Sequence, residues 1–482
     1  MNRTVLEWSL ACCLVVASSL VVATEVAATE SAVQSGVPSS EEKPRSGGLD
    51  ASRPDAAGAS VARGNPSSKA EGGAEGEPRY LDPLADEGYR TPRAGEAFRT
   101  EVFGQPVDVE ARDRRSVSAW SLGFEAVAPG ATFNEFLPFG ALYYWRRPDE
   151  NTFLRSVVAV FFNEIEYAES TDSMGPFEFV FTLENLNIPS EDAEYIDGDR
   201  QRREEVVWGR VHPGMGIGYR QQLEPGYNDN LFAVSLLAEP GFLYFWHDGS
   251  SATAEDFVDP EDTVEMRGRL RVRLDKMERN LLELAHSGYM VGGDLFAASR
   301  LEWDDWGRNE QESAGPTKEW VAFSGYAAGA TGVPFVRSQR HRLLGTLHGG
   351  TGTSQDRWSK FRVGGGPQDF EYGAIVRPTL PGAFFDEFLV DNYALLTAEY
   401  RYEPIFFTYL GLRSSLTYLE RRRIGSDRIR EEDDFLFSLG GRVHSGFLFE
   451  TRLHLAYNYN FDVIRDENFG GHEVTLEVSG AF

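Results

Sequence analysis

The chain has 482 residues, of which 41% are hydrophobic, 13% aromatic and 25% charged, so it is neither collagen-like nor disordered throughout and can bury a sizeable interior. Its 47 lysines and arginines stand against 75 aspartates and glutamates, a formal net charge of −28. Nucleic-acid binding needs a basic face, and this balance argues against it. After the N-terminus there is no run of about 20 apolar residues, which argues against spanning helices.

The N-terminus has the features of an export signal. Arg3 is followed by an apolar stretch of about 14 residues from Leu10 to Ala23, which predicts a signal peptide over residues 1–23, with an uncleaved anchor as the alternative. Both cysteines, Cys12 and Cys13, lie inside it. The exported chain would therefore have no disulfides and no thiolate metal sites.

Residues 24–98 are rich in Ala, Gly, Ser, Pro and Glu and contain few aromatic side chains. A segment of this composition buries too little apolar surface to offset the entropy lost on ordering. We predict a disordered, low-complexity periplasmic tail that the rest of the protein does not need in order to fold.

From about residue 116, apolar side chains recur at every second position. Between Val264 and Asp275, Val, Met and Leu alternate with Glu and Arg, and between Phe449 and Phe461, Leu, Tyr and Phe alternate with Arg, His and Asn. A period of two indicates β-strands. These segments of about 11 to 14 residues exceed the 5 or 6 usual in soluble proteins. Two folds remain, a soluble sandwich and a transmembrane barrel.

Strand length and aromatic placement favour the barrel. Spanning strands need about 9 to 11 residues, and aromatic groups such as Tyr143-Tyr144-Trp145 and the pair Trp303 and Trp306 lie near strand ends, as interfacial girdles do. We predict an all-β protein in which residues 99–482 form a transmembrane antiparallel β-barrel of about sixteen strands in outer-membrane lipid. The candidate strands are 116–127, 135–146, 153–168, 176–186, 204–220, 230–247, 263–275, 287–302, 319–333, 341–352, 358–366, 392–404, 405–420, 433–444, 447–461 and 472–482.

The connections and the C-terminus fit this interpretation. Long acidic connections, Pro189 to Glu205 and Ser250 to Asp262, are expected outside the cell, and short ones such as Glu403-Pro404 in the periplasm. The final strand alternates up to Phe482, and a terminal aromatic residue resembles the signal by which bacterial outer-membrane barrels are recognised. The outer-membrane assembly machinery is therefore an expected partner.

Residues 358–404 carry a more specific pattern. Phe361-Arg362-Val363-Gly364-Gly365 precedes a long connection containing Leu380-Pro381-Gly382-Ala383-Phe384, and Glu399-Tyr400-Arg401 follows. This resembles the BamA-like bacterial surface-antigen barrels, in which a strand ending in Phe-x-x-Gly-Gly leads into a lumen-directed sixth external loop and then into a strand with Glu-Tyr-Arg. The resemblance implies a lumen loop over Gly366 to Val390. The residues that it implies for the loop and its contacts in the lumen are Leu380, Pro381, Gly382, Phe384, Glu399 and Arg401.

Two differences restrict what the resemblance implies about activity. Pro381 stands where the family has an arginine that links the loop tip to the barrel wall. The family's periplasmic client-binding domains have no counterpart in residues 24–98. The implied function is outer-membrane protein assembly or translocation together with periplasmic protein partners. A passive channel or porin-like pore and a structural surface antigen are the alternatives.

Four arginines, Arg267, Arg269, Arg271 and Arg273, share the lumen side of one predicted strand. In an open lumen they would attract anions. In a closed one they would pair with inward acids such as Glu265, Asp275 and Glu302, or with the inserted loop, and this is the interpretation we prefer.

Catalytic signatures are missing from the sequence. It has no Gly-x-Ser-x-Gly, and its eight histidines show no spacing typical of a metal-ligand pair. We therefore predict that the protein is not an enzyme and has no cofactor and no metal site.

Overall fold

The computed structural model describes the chain from residue 79 onward. The predicted signal peptide, residues 24–78 and Phe482 lie outside the described residues. The described ranges are 79–82, 89–102, 104–112, 114, 116–128, 136–148, 151–192, 195–196, 199–223, 230–246, 253–307, 318–366, 376–424, 429–448, 451–465 and 468–481.

Strands dominate these ranges, which also include two 3₁₀ turns, Asp172–Met174 and Arg202–Glu204. No helix in this part of the chain is long and apolar enough to cross a membrane. The strands are β1 (Arg79–Leu81), β2 (Phe98–Val102), β3 (Gln105–Val109), β4 (Ser116–Ala128), β5 (Phe136–Arg146), β6 (Thr152–Ala159), β7 (Phe162–Glu169), β8 (Phe177–Asp192), β9 (Tyr195–Ile196), β10 (Asp199–Arg200), β11 (Val206–Gln222), β12 (Leu231–Trp246), β13 (Thr263–Asp275), β14 (Glu278–Arg279), β15 (Ala285–Arg300), β16 (Glu319–Gly332), β17 (His341–Thr353), β18 (Phe361–Val363), β19 (Phe388–Val390), β20 (Asn392–Ile405), β21 (Thr408–Ile424), β22 (Ile429–Leu448), β23 (Thr451–Arg465) and β24 (Asn468–Ala481).

Sixteen long strands of the described chain form a closed antiparallel barrel, as predicted. Each wall strand pairs with its neighbour in sequence, and β24 pairs with β4 to close the ring, from His472 opposite Ala128 to Ala481 opposite Ala119. We call this last pairing the closing seam. An open sheet leaves unpaired backbone N–H and C=O groups at its edges, and closure pairs them. A sheet in hydrocarbon requires this pairing, because no water is present there to bind such groups.

The two faces of the wall have reversed polarity compared with a soluble protein. Along β13, Val264, Met266 and Leu270 are exposed on the outside, whereas Glu265 and Arg267 are buried inside. Apolar outer and polar inner positions alternate in this way because successive side chains of a strand point to opposite faces. An apolar outer surface is stable in lipid and costly in water, so the wall is built to span a membrane.

The strand number is correct, but two of the predicted boundaries are wrong. The single strand predicted at 153–168 is a hairpin, β6 and β7, joined at Val160-Phe161. The strand predicted at 358–366 is not in the wall: β18 pairs with β19 in a separate two-stranded ribbon. These two errors cancel, and the eleventh wall strand is β17.

The connections separate into two ends. The long acidic connections after β8 and after β12 lie at one end, and the turn after β20 lies at the other, together with the start of β4 and the end of β24. We call these the extracellular and periplasmic ends, because external loops of such barrels are long and periplasmic turns short.

Trp303 and Trp306 are not girdle residues. Both are buried, in a cluster with Trp208 and Trp358 at the extracellular end. The ring centroids of Trp306 and Trp358 are 5.5 Å apart. A tryptophan near a strand end can belong either to an interfacial girdle or to an internal cluster, and the sequence looks the same in both cases. The prediction was wrong for this reason.

The boundary of the tail at residue 98 is also wrong. The compact unit that contains the barrel begins at Pro78, and β1 pairs with β2 in a three-stranded sheet with β3. Leu81, Tyr89 and Phe98 are buried in a cluster with Phe406 of the turn after β20. These few apolar side chains suffice because they pack together with Phe406 and with Leu281 and Phe407 of the barrel's turns.

The reversed polarity predicts the effect of a charge on the outer face. Leu455 of β23 faces outward and is 45% exposed. Leu455→Arg should cost about 2–4 kcal/mol of folding free energy in bilayers, measured by urea unfolding in lipid vesicles. The control is Phe335→Arg, at a fully exposed residue in the turn after β16, which should change little. Equal costs at both positions would contradict a membrane-spanning wall.

Candidate functional site: the plugged lumen

The connection between β17 and β20 enters the lumen. Val363, Leu380, Ala383, Phe388 and Val390 from this connection are buried together in one apolar cluster. The wall contributes inward apolar side chains of four neighbouring strands to that cluster, namely Tyr393, Leu419, Leu436 and Val463. An apolar seat inside an otherwise polar barrel fixes the loop by burial of apolar surface. We call residues 354–391 the plug loop.

The tip of the plug loop reaches the inner face of β23 and β24. The backbone amide of Gly382 donates to Glu473 Oε2 at 2.6 Å, and Asn460 Nδ2 donates to the carbonyl of Pro381 at 2.9 Å. Gly382 has φ +80°, and a Cβ there would lie 2.9 Å from the carbonyl oxygen of Gly471. Glycine is needed at this position both for the backbone conformation and for the close approach.

A buried ion pair holds the base of the tip. Arg465 Nη2 lies 2.5 Å from Glu387 Oε2, and the Arg465 guanidinium stacks on Phe384, 3.9 Å from the ring centroid. Burial raises the pKa of the Glu387 carboxyl, and the charge and hydrogen bonds of Arg465 oppose that rise. Phe384 also packs on Tyr195, with ring centroids 5.2 Å apart. Tip residues Leu380, Pro381, Gly382 and Phe384 are thus all in the lumen.

Glu399 and Arg401 do line the lumen, but the structure does not bring them to the loop tip. Arg401 Nη2 pairs with Glu399 at 2.9 Å, and Arg401 Nη1 donates to the carbonyl of Ala285 at 2.9 Å, at the start of β15. Glu399 also pairs with Arg442 at 3.1 Å. Both residues lie toward the periplasmic end of β20.

The arginine ladder is neutralised by acids on neighbouring strands. Arg267 and Arg269 face Glu184 and Glu239, Arg271 pairs with Asp294 at 2.8 Å, and Arg273 has Glu166 at 3.7 Å. From the sequence we expected other acids to pair with these arginines. Glu265 pairs with Arg300 at 3.0 Å, Asp275 pairs with Arg279 at 3.2 Å, and Glu302 is exposed. Pairing across strands depends on register, which the sequence of one strand does not reveal.

The periplasmic mouth is crossed by the turn between β13 and β15. The carbonyl of Leu282 in this turn accepts from Arg452 Nη1 of β23 at 3.3 Å, on the other side of the ring. Leu284 is buried against Tyr409 of β21. A turn bonded to the opposite wall blocks the path through the mouth.

The segment before β2 adds to this closure. Tyr89 and Thr91 donate to the two carboxylate oxygens of Glu403 at 2.5 and 2.8 Å. Arg340 lies over the Tyr89 ring, 3.8 Å from its centroid. Burial and the Glu403 carboxylate raise the pKa of Tyr89, so its hydroxyl stays protonated and remains a donor.

The sequence did not predict which residues fix the tip of the plug loop. Glu387, Asn460, Arg465 and Glu473 are separated from their partners by 78 to 91 residues. Asn460 and Glu473 do occupy the inward positions of their strands, which the alternation shows. Nothing in the local pattern distinguishes them from other inward polar residues.

No protein-family model matches the chain, and no curated protein matches it. The solved structures similar to it include BamA from Haemophilus ducreyi lacking POTRA domains 1–3, with TM-score 0.44 and 8% identity over 80% of this chain and 75% of that one. CdiB from Acinetobacter baumannii has TM-score 0.44 and 10% identity over 82% and 64%. CdiB from Escherichia coli has TM-score 0.44 and 11% identity over 80% and 67%.

The protein is a β-barrel of the membrane-spanning, outer-membrane type. Its wall has an apolar outer face, a charged inner face and sixteen strands in the described chain.

Removal of the Arg465 charge should loosen the plug loop. Arg465→Gln leaves Glu387 buried without its cation, which costs about 3–5 kcal/mol for pairs of this kind. We expect the natural protein to be nearly silent in planar bilayers and this variant to show frequent open-channel events. Arg220→Gln is the control, because Arg220 pairs with Glu166 and Glu178 away from the plug loop. If both variants conduct alike, the pair does not hold the plug.

The N-terminal segment gives a matched pair of deletions. Deletion of 24–77 with the signal kept should leave folding and conductance unchanged. Deletion of 24–98 also removes the bonds to Glu403 and should raise conductance through the periplasmic mouth. Heat-modifiability on gels verifies that both barrels fold. Equal conductance of the two deletions would show that residues 79–98 do not close the mouth.

Proposed function

We propose that this barrel assembles or translocates polypeptides at the outer membrane and that the described structure is its closed, resting state. The observation that carries the proposal is the position of the plug-loop tip at the closing seam. Gly382 binds Glu473 on β24, and Gly365 lies against Glu125 on β4. The loop body packs on β20 to β23, so one element joins the seam strands to the rest of the wall.

This arrangement supports a gated barrel over a passive pore. A porin-like pore needs a continuous water path, and here the plug loop packs on the inner face of β20 to β23 while the turn after β13 bonds across the periplasmic mouth to β23. Polar contacts at the tip are few and specific, so a modest binding energy from a client or partner could release them. Release of the tip would free both seam strands together. Periplasmic protein partners and the assembly machinery belong to this proposal.

A disulfide across the seam tests whether opening is required. Ser121 on β4 and Ser479 on β24 are directly opposite and buried, and no cysteine follows Cys13 in the sequence. In cells that depend on the Ser121→Cys, Ser479→Cys double variant, we expect a severalfold loss of outer-membrane or exported proteins, measured by quantitative proteomics. A membrane-permeant reductant should restore them.

The matched control locks a strand pair away from the seam. Ser415 on β21 and Ser438 on β22 are also opposite and buried, with their hydroxyl oxygens 2.5 Å apart. Ser415→Cys with Ser438→Cys should leave protein levels unchanged. Normal levels with a fully oxidised seam disulfide would contradict the proposal, and equal losses with both locks would show a nonspecific defect.

A further inference from the structure

Glu125 is a buried carboxylate with no charged partner of opposite sign. It faces the lumen from β4 and is 2% exposed, and neither of its oxygens has a hydrogen bond of normal geometry in the described residues, where the backbone amide of Gly366 is the one donor that acts on it. No other buried carboxylate in this part of the chain has both oxygens in that state. Burial of an ionised carboxylate with no compensation is strongly unfavourable.

The charged group acting on Glu125 has the same sign. Across the closing seam, Glu125 is opposite Thr475 and Val127 is opposite Glu473, so the two glutamates are diagonal neighbours on the lumen face. The Glu473 oxygens accept only from neutral donors, the amide of Gly382 and the side chains of Asn458 and Thr475. Neither carboxylate has an ion-pair partner among the described residues.

The plug loop brings a backbone oxygen atom close to Glu125. A Cβ on Gly365 would clash both with the carbonyl oxygen of Ala383 and with Glu125 Oε1, so a carboxylate oxygen of β4 and a main-chain oxygen of the loop lie beside the same residue. The two loop arginines that flank this segment in sequence, Arg362 and Arg377, lie over the rings of Trp208 and Phe162 instead.

We propose that Glu125 and Glu473 bind a hard divalent cation, Ca²⁺ or Mg²⁺, that ties the plug loop to the closing seam. Both ions take all-oxygen ligand sets in which carboxylates are completed by backbone carbonyls and water. The described residues contain no group of three or more His, Cys, Asp or Glu suited to a metal, so main-chain and water oxygens complete this site. The two glutamates are 348 positions apart, so ligand spacing in the sequence does not reveal the pair.

Its position gives the cation a mechanical role. Glu125 is near the extracellular end of β4, and Glu473 is near the same end of β24. A bound cation would neutralise the like charges on the two strands that close the barrel and hold them beside the loop tip. Its removal would restore their repulsion and weaken the seam and the plug together. The inference does not depend on what the barrel transports.

The test uses the purified full-length protein after treatment with EDTA. Ca²⁺ and Mg²⁺ are added in separate titrations, and two quantities are followed: the midpoint of heat-modifiability on gels and conductance in planar bilayers. For the natural protein we expect at least one ion to raise the midpoint saturably and suppress channel events. Tb³⁺, a luminescent Ca²⁺ substitute, should show a saturable signal that the active ion displaces.

Glu125→Gln and Glu473→Gln should abolish these responses while the barrel still shifts on gels. Glu178→Gln is the control: Glu178 is a lumen acid of β8, four strands from β4, and pairs with Arg220 of β11, so the variant should respond like the natural protein. The proposal is overturned if the natural protein does not respond to either ion and the Glu125→Gln variant is more stable than the natural protein in EDTA. That result would mean that Glu125 and Glu473 share a proton instead of binding a cation. A full response in both seam variants would place the cations on the acidic surface and overturn it too. Neither result depends on the seam-lock experiment, which measures client proteins in cells.

Discussion

A closed sheet in lipid has to direct its apolar side chains outward, and this constraint determines what the interior can be. Many inward positions of the wall strands are left to polar and charged residues, which are then buried in the lumen. Buried charges need partners. The arginines of β13 find theirs on β7, β8, β12 and β15. The lumen is therefore filled by ion pairs between strands rather than by water alone.

The plug loop binds where the inward side chains of the wall are apolar instead of polar. Where inward residues of β20 to β23 are apolar, they form a seat for the loop, and Leu380 and Val363 occupy it. The loop also makes polar contacts to the wall away from the tip, such as the pair of Asp356 with Arg300. At the tip, the bond from Gly382 to Glu473 of β24 joins the loop to the seam. Proposals for gating and for the cation both depend on the tip.

The sequence predicts the wall well because its signal is local. Alternation in Val264 to Asp275 specifies a strand and its two faces without reference to any other segment. It does not separate Phe361–Val363, a lumen ribbon, from a wall strand, since three alternating residues look alike in both. Val160-Phe161 contains no turn residue, so the hairpin there is invisible. The tip contacts are long-range and depend on register and loop path, as does the burial of Tyr89 against the barrel.

The central claim is that the plug-loop tip lies inside the barrel, and its accessibility tests this most directly. A single cysteine at Phe384, which is 3% exposed, is treated on intact cells with a bulky membrane-impermeant maleimide, beside a cysteine at Asp304 in an exposed connection at the extracellular end. The structure predicts rapid labelling at 304 and almost none at 384 until the protein is denatured. Equal, rapid labelling at both positions would contradict the account, because the tip would then lie on the cell surface.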